Sequence, residues 1–316
     1  MANASKNSKQ PVIFLMGPTA SGKTDLAIDL VQELPCDIIS VDSALVYREM
    51  NIGTAKPSAD ELAKAPHRLI DICDPIESYS AAKFRQDAIR EIEQIHAQGR
   101  VPLLVGGTML YFRALQYGLS EMPEADPEIR ARLDGEIKQH GLTVLYERLR
   151  QVDPKAAERI SANDPQRIQR ALEVYELTGT PLSELQDSDG EPKLPYHVIK
   201  LVRAPANRSV LHARIENRFH KMLKQGFEDE VRGLLQKWDL DHEMPSMRLV
   251  GYRQMLRYLQ GEYSYDQMVE RGIIATRQLA KRQFTWLRSE KDANWLNEER
   301  KNVLDQALKI VSRPIC

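Results

Sequence analysis

The sequence predicts an α/β protein: a parallel sheet flanked by helices, interrupted by an all-helical subdomain and followed by a helical C-terminal region. Three observations carry that prediction. Short apolar runs alternate with amphipathic helical patterns in the first third of the chain. A stretch after Met122 has helical periodicity and almost no strand-like run. One strand-like run then returns at Tyr196.

In chain order, Val12 to Met16 reads as a short apolar strand. Lys23 to Leu34 puts Leu26, Ala27, Leu30, Val31 and Leu34 on one helical face and stops at Pro35. Asp37 to Val41 is a second strand. Ser80 is placed to cap a helix running to Gln98, with Phe84, Ala88, Ile92 and Ile95 inward and Gly99 as terminator. Val101 to Val105 is a third strand. From Asp126 to Leu185 the pattern is helical, with breaks marked by Pro127, Pro154, Pro165 and Pro181; after a loop from Asp187 to Pro195, Tyr196 to Val202 resumes the sheet. Ser209 to Val311 is mostly helical. The expected domains are 1–121 with 196–316 as a discontinuous core, and 122–195 as a helical insert.

With 316 residues, 42% hydrophobic and 28% charged, the chain can bury a large core without crosslinks. Cys36, Cys73 and Cys316 lack paired spacing and read as inert thiols. The run Val12 to Met16 is too short for a signal or membrane segment, so a cytoplasmic protein with no membrane contact is expected. A net charge of −1 argues against coating nucleic acid through overall basicity. A local patch is possible: Arg248 to Arg288 holds eight Lys or Arg against three Asp or Glu, which a solvated mixed-charge helical surface also explains.

Gly17-Pro18-Thr19-Ala20-Ser21-Gly22-Lys23-Thr24 matches G-x-x-x-x-G-K-[ST] at every fixed position, between an apolar strand and an amphipathic helix. Successive backbone N–H groups in such a turn point at phosphate oxygens. The helix dipole adds positive potential, Lys23 supplies a mobile charge, and the Thr24 hydroxyl can ligate Mg²⁺. The sheet is therefore expected to be P-loop nucleoside-triphosphate-hydrolase-like, binding a di- or triphosphate such as ATP.

Parallel strands end on one edge, where the ligand crevice lies. Asp42 and Ser43 follow the second strand, and Thr108 follows Val105-Gly106-Gly107, so these residues should face the phosphate loop. Asp42 there can be a base, a metal ligand or a cap for the next helix. The glycine pair allows close approach to a ligand or simply a tight turn. Asp71 is a weaker acidic strand end, and Arg218 is either a phosphate clamp or a surface charge.

These residues resemble the bacterial tRNA dimethylallyltransferase family, also called tRNA isopentenyltransferase. Besides the phosphate loop, the resemblance rests on Ser40-Val41-Asp42-Ser43-Ala44-Leu45-Val46-Tyr47, Gly53-Thr54-Ala55-Lys56-Pro57 and Val105-Gly106-Gly107-Thr108-Met109-Leu110-Tyr111. It continues through Asn163 to Glu173, Val250-Gly251-Tyr252-Arg253-Gln254-Met255, and Lys281-Arg282-Gln283-Phe284-Thr285-Trp286-Leu287-Arg288. It covers nearly the whole chain; the zinc finger of eukaryotic members has no counterpart here.

The resemblance implies transfer of a dimethylallyl group from dimethylallyl diphosphate to N6 of the adenosine beside the anticodon in tRNA, by a monomer using Mg²⁺. It implies catalytic roles for Thr19, Lys23, Asp42 and Arg218, with the diphosphate on Gly17 to Thr24, Mg²⁺ near Thr24, and Asp42 accepting the N6 proton. The implied tRNA contacts are Asp42, Ser43, Ala44 and Leu45, then Thr108, Arg130, and Gln166, Arg167, Ile168, Gln169 and Arg170. They continue with Arg248, Leu249, Val250, Gly251, Tyr252 and Arg253, then Lys281, Arg282, Gln283, Phe284, Thr285, Trp286, Leu287 and Arg288. On a helix, Arg277, Lys281 and Arg288 fall within about 40° of one another, which predicts a basic rail; Phe284 can stack on a base or pack in the core.

The rival reading is a P-loop kinase of a nucleoside or small metabolite, with Asp42 as base for a hydroxyl; the C-terminal basic block argues against it. A nucleotide-gated switch lacks its N-K-x-D motif, and an ordinary prenyl synthase lacks its D-D-x-x-D metal site.

Overall fold

The structure, a computed structural model, describes residues 9–120, 122–187, 193–296 and 303–313. Two compact units emerge: Gln116–Leu194, and the chain on either side of it.

The flanking unit holds a six-stranded parallel sheet. Its first part runs β1 (Pro11–Met16), α1 (Lys23–Glu33), β2 (Cys36–Val41), α2 (Ala59–Lys64), β3 (His67–Arg68), α3 (Ala81–Ala97), β4 (Val101–Gly106) and α4 (Met109–Tyr117), the last helix running into the other unit. Strand order is β3-β2-β4-β1, continuing to β5 (His197–Arg203) and β6 (Asn294–Leu296). The central strands are covered on both faces, which is why they read as unbroken apolar runs rather than alternating ones. Val12, Phe14, Leu15, Ile38, Ile39, Leu103 and Leu104 are all fully buried. Each such side chain contributes about 1.5–3 kcal/mol by leaving water.

Local signals set the helix ends. Leu34, ahead of Pro35, is extended and closes α1; Ser58 and Glu61 form a reciprocal capping box on α2; the Ser80 hydroxyl accepts from the Lys83 amide to start α3. The strands expected at Val12, Asp37, Val101 and Tyr196 form, each within a residue or two of its expected ends. The edge strands β3 and β6 were not anticipated, being two and three residues long.

The second unit is all helical: α5 (Pro127–His140), α6 (Leu142–Val152), α7 (Pro154–Arg159), α8 (Pro165–Thr178) and α9 (Leu182–Asp187). The prolines read as breaks are mostly helix starts. Asp126, Asp153 and Asp164 each cap a helix whose first residue is proline, where the missing N–H costs nothing. Leu133, Leu145, Leu149, Ile168 and Leu172 form the core of this unit. Leu194 N–H donates to Gln116 C=O at 3.0 Å, so the two ends of the unit meet.

Past β5 come α10 (Arg208–Lys224), α11 (Phe227–Lys237), α12 (Tyr252–Leu259), α13 (Tyr265–Ser289) and, beyond β6, α14 (Val303–Val311). Among the described residues no helix is long and apolar enough to cross a membrane. Cys36 and Cys73 are buried free thiols, and burial pushes the Cys36 thiol up to about 11; Cys316 lies outside the described residues.

Candidate active site

Strand register builds the site. Met16 pairs with Gly106 and with Val202, and Gly106 pairs with Val41. The next residues therefore stand in a row along one sheet edge, in the order Asp42, Gly107, Gly17, Arg203. Strands lie about 4.8 Å apart, so roughly 10 Å separates the backbones of Asp42 and Gly17.

The phosphate loop leaves β1 and turns into α1 at Gly22, whose φ of 81° is left-handed and suits only glycine well. No side chain caps α1. Its first-turn amides are available to an anion. Ala20 also has a positive φ, 61°, at a cost of about 1 kcal/mol or more. It is held there by packing with Phe284 against Leu211, Ile215 and Ala280. Ser21 Oγ is buried with no hydrogen-bond partner, an arrangement expected of an atom reserved for a ligand.

Three charged groups converge on this loop. Lys23 Nζ donates to Pro18 C=O at 2.8 Å, and Arg218 Nη2, from α10, donates to Thr19 Oγ1 at 2.9 Å. Burial lowers the Lys23 ammonium to about 8; Asp42 pulls it back up, and Arg218 adds to the lowering. Burial also lowers the Arg218 guanidinium, again opposed by Asp42. Arg218 is thus a loop-facing group and not a surface charge. Asp42 Oδ1 accepts from the Ala44 amide at 2.9 Å, so one oxygen serves as the turn cap, while the other has no hydrogen bond among the described residues. The cap and a base are compatible in one carboxylate. Thr108 Oγ1 accepts from the Ser43 amide at 3.0 Å, joining the loops after β2 and β4.

Three further residues shape the site, and local sequence does not announce two of them, Gln283 and Glu230. Gln283 of α13 is buried, its Oε1 accepting from the Thr19 amide and its Nε2 donating to Gly107 C=O, both at 2.9 Å. It bridges the phosphate loop to the loop after β4. A side chain at Gly107 would collide with that amide, and one at Gly106 with the Val41 backbone, so the glycine pair makes room for protein and not for a ligand. Arg203 ends β5 with its guanidinium beside Gly22; the strand-end rule that found Asp42 would have found it too. Glu230 of α11 accepts from the successive amides of Asn51, Ile52 and Gly53 at 2.8, 2.6 and 3.1 Å, and from the Tyr252 hydroxyl at 2.5 Å. One half-buried carboxylate thereby fixes the loop that begins at Asp42.

Other expected site residues are placed differently. Asp71 is ion-paired with Lys56 at 2.5 Å, and the same Nζ donates to Tyr47 C=O; it braces the loop and is not a free strand-end acid. Ile168, Tyr252 and Leu287 are fully buried, so their side chains belong to the core and offer no surface to RNA. Arg248 is paired with Glu243. Arg130 and Arg170 both bind the buried carboxylate of Glu173, at 2.8 and 2.6 Å. Gln166 and Arg167 remain outward.

The basic rail also changes. Arg277 is only partly exposed and paired with Glu216 at 2.7 Å, and Arg288 lies over the Phe284 ring. The Trp286 ring, in turn, carries the Arg113 guanidinium at 5.1 Å. Lys281, Arg282 and Arg271 are exposed and have no carboxylate partner among the described residues. The helical wheel gave the angles correctly and could not show the partner on α10.

No group of three or more His, Cys, Asp or Glu that could hold a metal exists among the described residues. A Mg²⁺ ion here would rest on the Thr24 hydroxyl and on ligand phosphate oxygens, a donor set that this hard, water-retaining ion accepts.

A family model described as IPP transferase matches residues 45–290. The full-length tRNA isopentenylpyrophosphate transferase of Bacillus halodurans is 35% identical, with 96% of each chain covered and a TM-score of 0.69. The tRNA delta(2)-isopentenylpyrophosphate transferase of Staphylococcus epidermidis is 32% identical over 96% of this chain and 99% of its own, with a TM-score of 0.68. A eukaryotic dimethylallyltransferase acting on tRNA is 26% identical over 97% of this chain and 81% of its own, with a TM-score of 0.79.

Proposed function

The chain belongs to the IPP transferase family, and from that premise we propose that it transfers the dimethylallyl group of dimethylallyl diphosphate to N6 of adenosine 37, 3′-adjacent to the anticodon in tRNA, and releases diphosphate. The observation that carries the reading is the row of strand ends, with the phosphate loop and Lys23 at one position and Asp42 about 10 Å along the same edge.

The loop amides, Ser21 Oγ, Lys23 and the Thr24 hydroxyl hold the diphosphate, and Arg218 and Thr19 close over it. Their positive charge stabilises the leaving group as the allylic C–O bond breaks. The N6 lone pair forms the new C–N bond, and the N6 proton passes to the open oxygen of Asp42. Bound Mg²⁺ would add charge neutralisation at the diphosphate. The target base must leave its stack to reach this edge, at a cost of a few kcal/mol. A metabolite kinase could use the same loop, but it has no use for the exposed cations of α13. The protein is read as a cytoplasmic monomer.

The test is to follow label from dimethylallyl diphosphate or from ATP into unmodified tRNA with Mg²⁺ present. Label from the allylic donor, abolished by Lys23→Ala and lowered about a hundredfold or more in turnover by Asp42→Asn with tRNA affinity retained, is the expected result. No transfer from the allylic donor, with ATP consumed on small metabolites, would return the protein to the kinase reading.

A further inference from the structure

We infer that α12 and α13 form a second phosphate-recognition cleft, apart from the transfer site, which grips the RNA backbone. The cleft encloses about 260 Å³ and is lined by Arg253, Arg257 and Arg271 together with Tyr263. Only Arg253 falls in a segment that the family resemblance implicates in RNA contact. The inference rests on the tRNA reading above.

The chemistry of the lining selects the ligand. The Arg271 and Arg257 guanidinium carbons lie 4.6 and 5.8 Å from the centroid of the same Tyr263 ring, and Arg257 Nη1 donates to the Tyr263 hydroxyl at 2.8 Å. The ring holds two forks in place without neutralising them. One carboxylate, Glu262, approaches Arg257 at 3.7 Å, whereas Arg253 and Arg271 have no carboxylate partner among the described residues. Three guanidinium groups against one carboxylate leave a strong positive excess. Forked donors of this kind match the paired oxygens of a phosphodiester. Ile274, 43% exposed at the cleft, supplies an apolar contact suited to a ribose.

Position selects the RNA flanking the target nucleotide. Arg271, Gln278 and Arg282 lie within about 40° of one another on α13, with Lys281 and Thr285 flanking them, and all five are exposed. This strip runs from the cleft to the turn whose Gln283 touches the phosphate loop. Twelve residues separate Arg271 from Gln283, about 18 Å along the axis. A strand leaving the transfer site along α13 therefore reaches the cleft within a few nucleotides.

The test uses the full chain and unmodified tRNA, reading binding without the allylic donor across about 50–200 mM salt, and transfer separately at saturating tRNA. Arg257→Ala with Arg271→Ala should weaken tRNA binding about tenfold, lower the slope of log K against log salt by about 1 to 2, and leave kcat within about twofold. Arg271→Lys should recover most of the slope, because that term follows charge and not packing. Should the double variant fold poorly, Arg271→Ala alone gives the same reading, since its guanidinium has no ion pair to lose. A protein that transfers label normally while the variants bind tRNA with wild-type affinity and slope would overturn the cleft alone. Weakened binding by the variants of a protein that transfers nothing would overturn the transfer reading and leave the cleft standing.

Discussion

Four arginines of the helical insert and the outward cations of α12 and α13 differ in how they are paired. In the insert, Arg130 and Arg170 close on Glu173, and Arg132 and Arg148 share Glu136 and Glu176, so each of these four is matched to a carboxylate within the unit. On α13, Arg271, Lys281 and Arg282 face outward with no carboxylate partner among the described residues, and on α12 so does Arg253. Charge counted along the chain already separates the two segments: residues 122–187 hold nine Lys or Arg against thirteen Asp or Glu, whereas residues 248–288 hold eight against three. Pairing sharpens the difference: these four insert arginines hold helices together, whereas Arg253, Arg271, Lys281 and Arg282 have no carboxylate partner among the described residues and, on the tRNA reading proposed above, would meet a polyanion.

The largest expected effect breaks the insert's side of the contrast. Glu173→Ala strands two guanidinium groups around a buried site and should cost about 3 kcal/mol, seen as an early transition in urea unfolding. Next comes the open surface. Lys281→Ala with Arg282→Ala should weaken tRNA binding about tenfold and lower the salt slope by about 2, with an unchanged unfolding curve; a destabilised protein with an unchanged slope would mean that these cations are structural.

A smaller effect separates the arginines from the one titrating cation. Lys23 sits near 8, below its ordinary 10.5. Burying the charged form therefore costs stability below about pH 8, and that cost fades as pH rises toward 10.5. Diphosphate needs the charged form, so its affinity should hold up to about pH 8 and fall several-fold by about pH 9, while tRNA affinity, to which Lys23 does not contribute, stays flat. Equal loss of both would place Lys23 outside donor binding. The smallest effect sharpens the rule itself: Glu216→Gln frees Arg277 and should raise tRNA affinity by less than about threefold, measurable by titration at low salt.

Much of the site could be read from sequence because its parts follow strand ends. The phosphate loop announces itself, and the parallel alternation puts Asp42 and Thr108 at strand ends on one edge; the Ser43–Thr108 bond joins the loops after β2 and β4. Strands β3 and β6 escaped because two or three residues carry no periodicity. Gln283 and Glu230 escaped for a different reason. Their partners, Thr19 and Asn51 to Gly53, lie far away in the chain, and nothing local marks a glutamine or glutamate as a bridge. The same limit applied to Arg277, whose helical angle was predictable and whose carboxylate on α10 was not.

The hydrogen bond between Leu194 and Gln116 makes the insert a cassette. Its chain leaves and returns at one point, 3.0 Å from amide to carbonyl, and its core is its own. A short turn spliced between those positions would close the gap without stretching the backbone. The five-helix unit, with its own core and its two ends already joined, should therefore fold as a separate polypeptide, and the far-ultraviolet circular dichroism of residues 116–194 alone would show helix if it does.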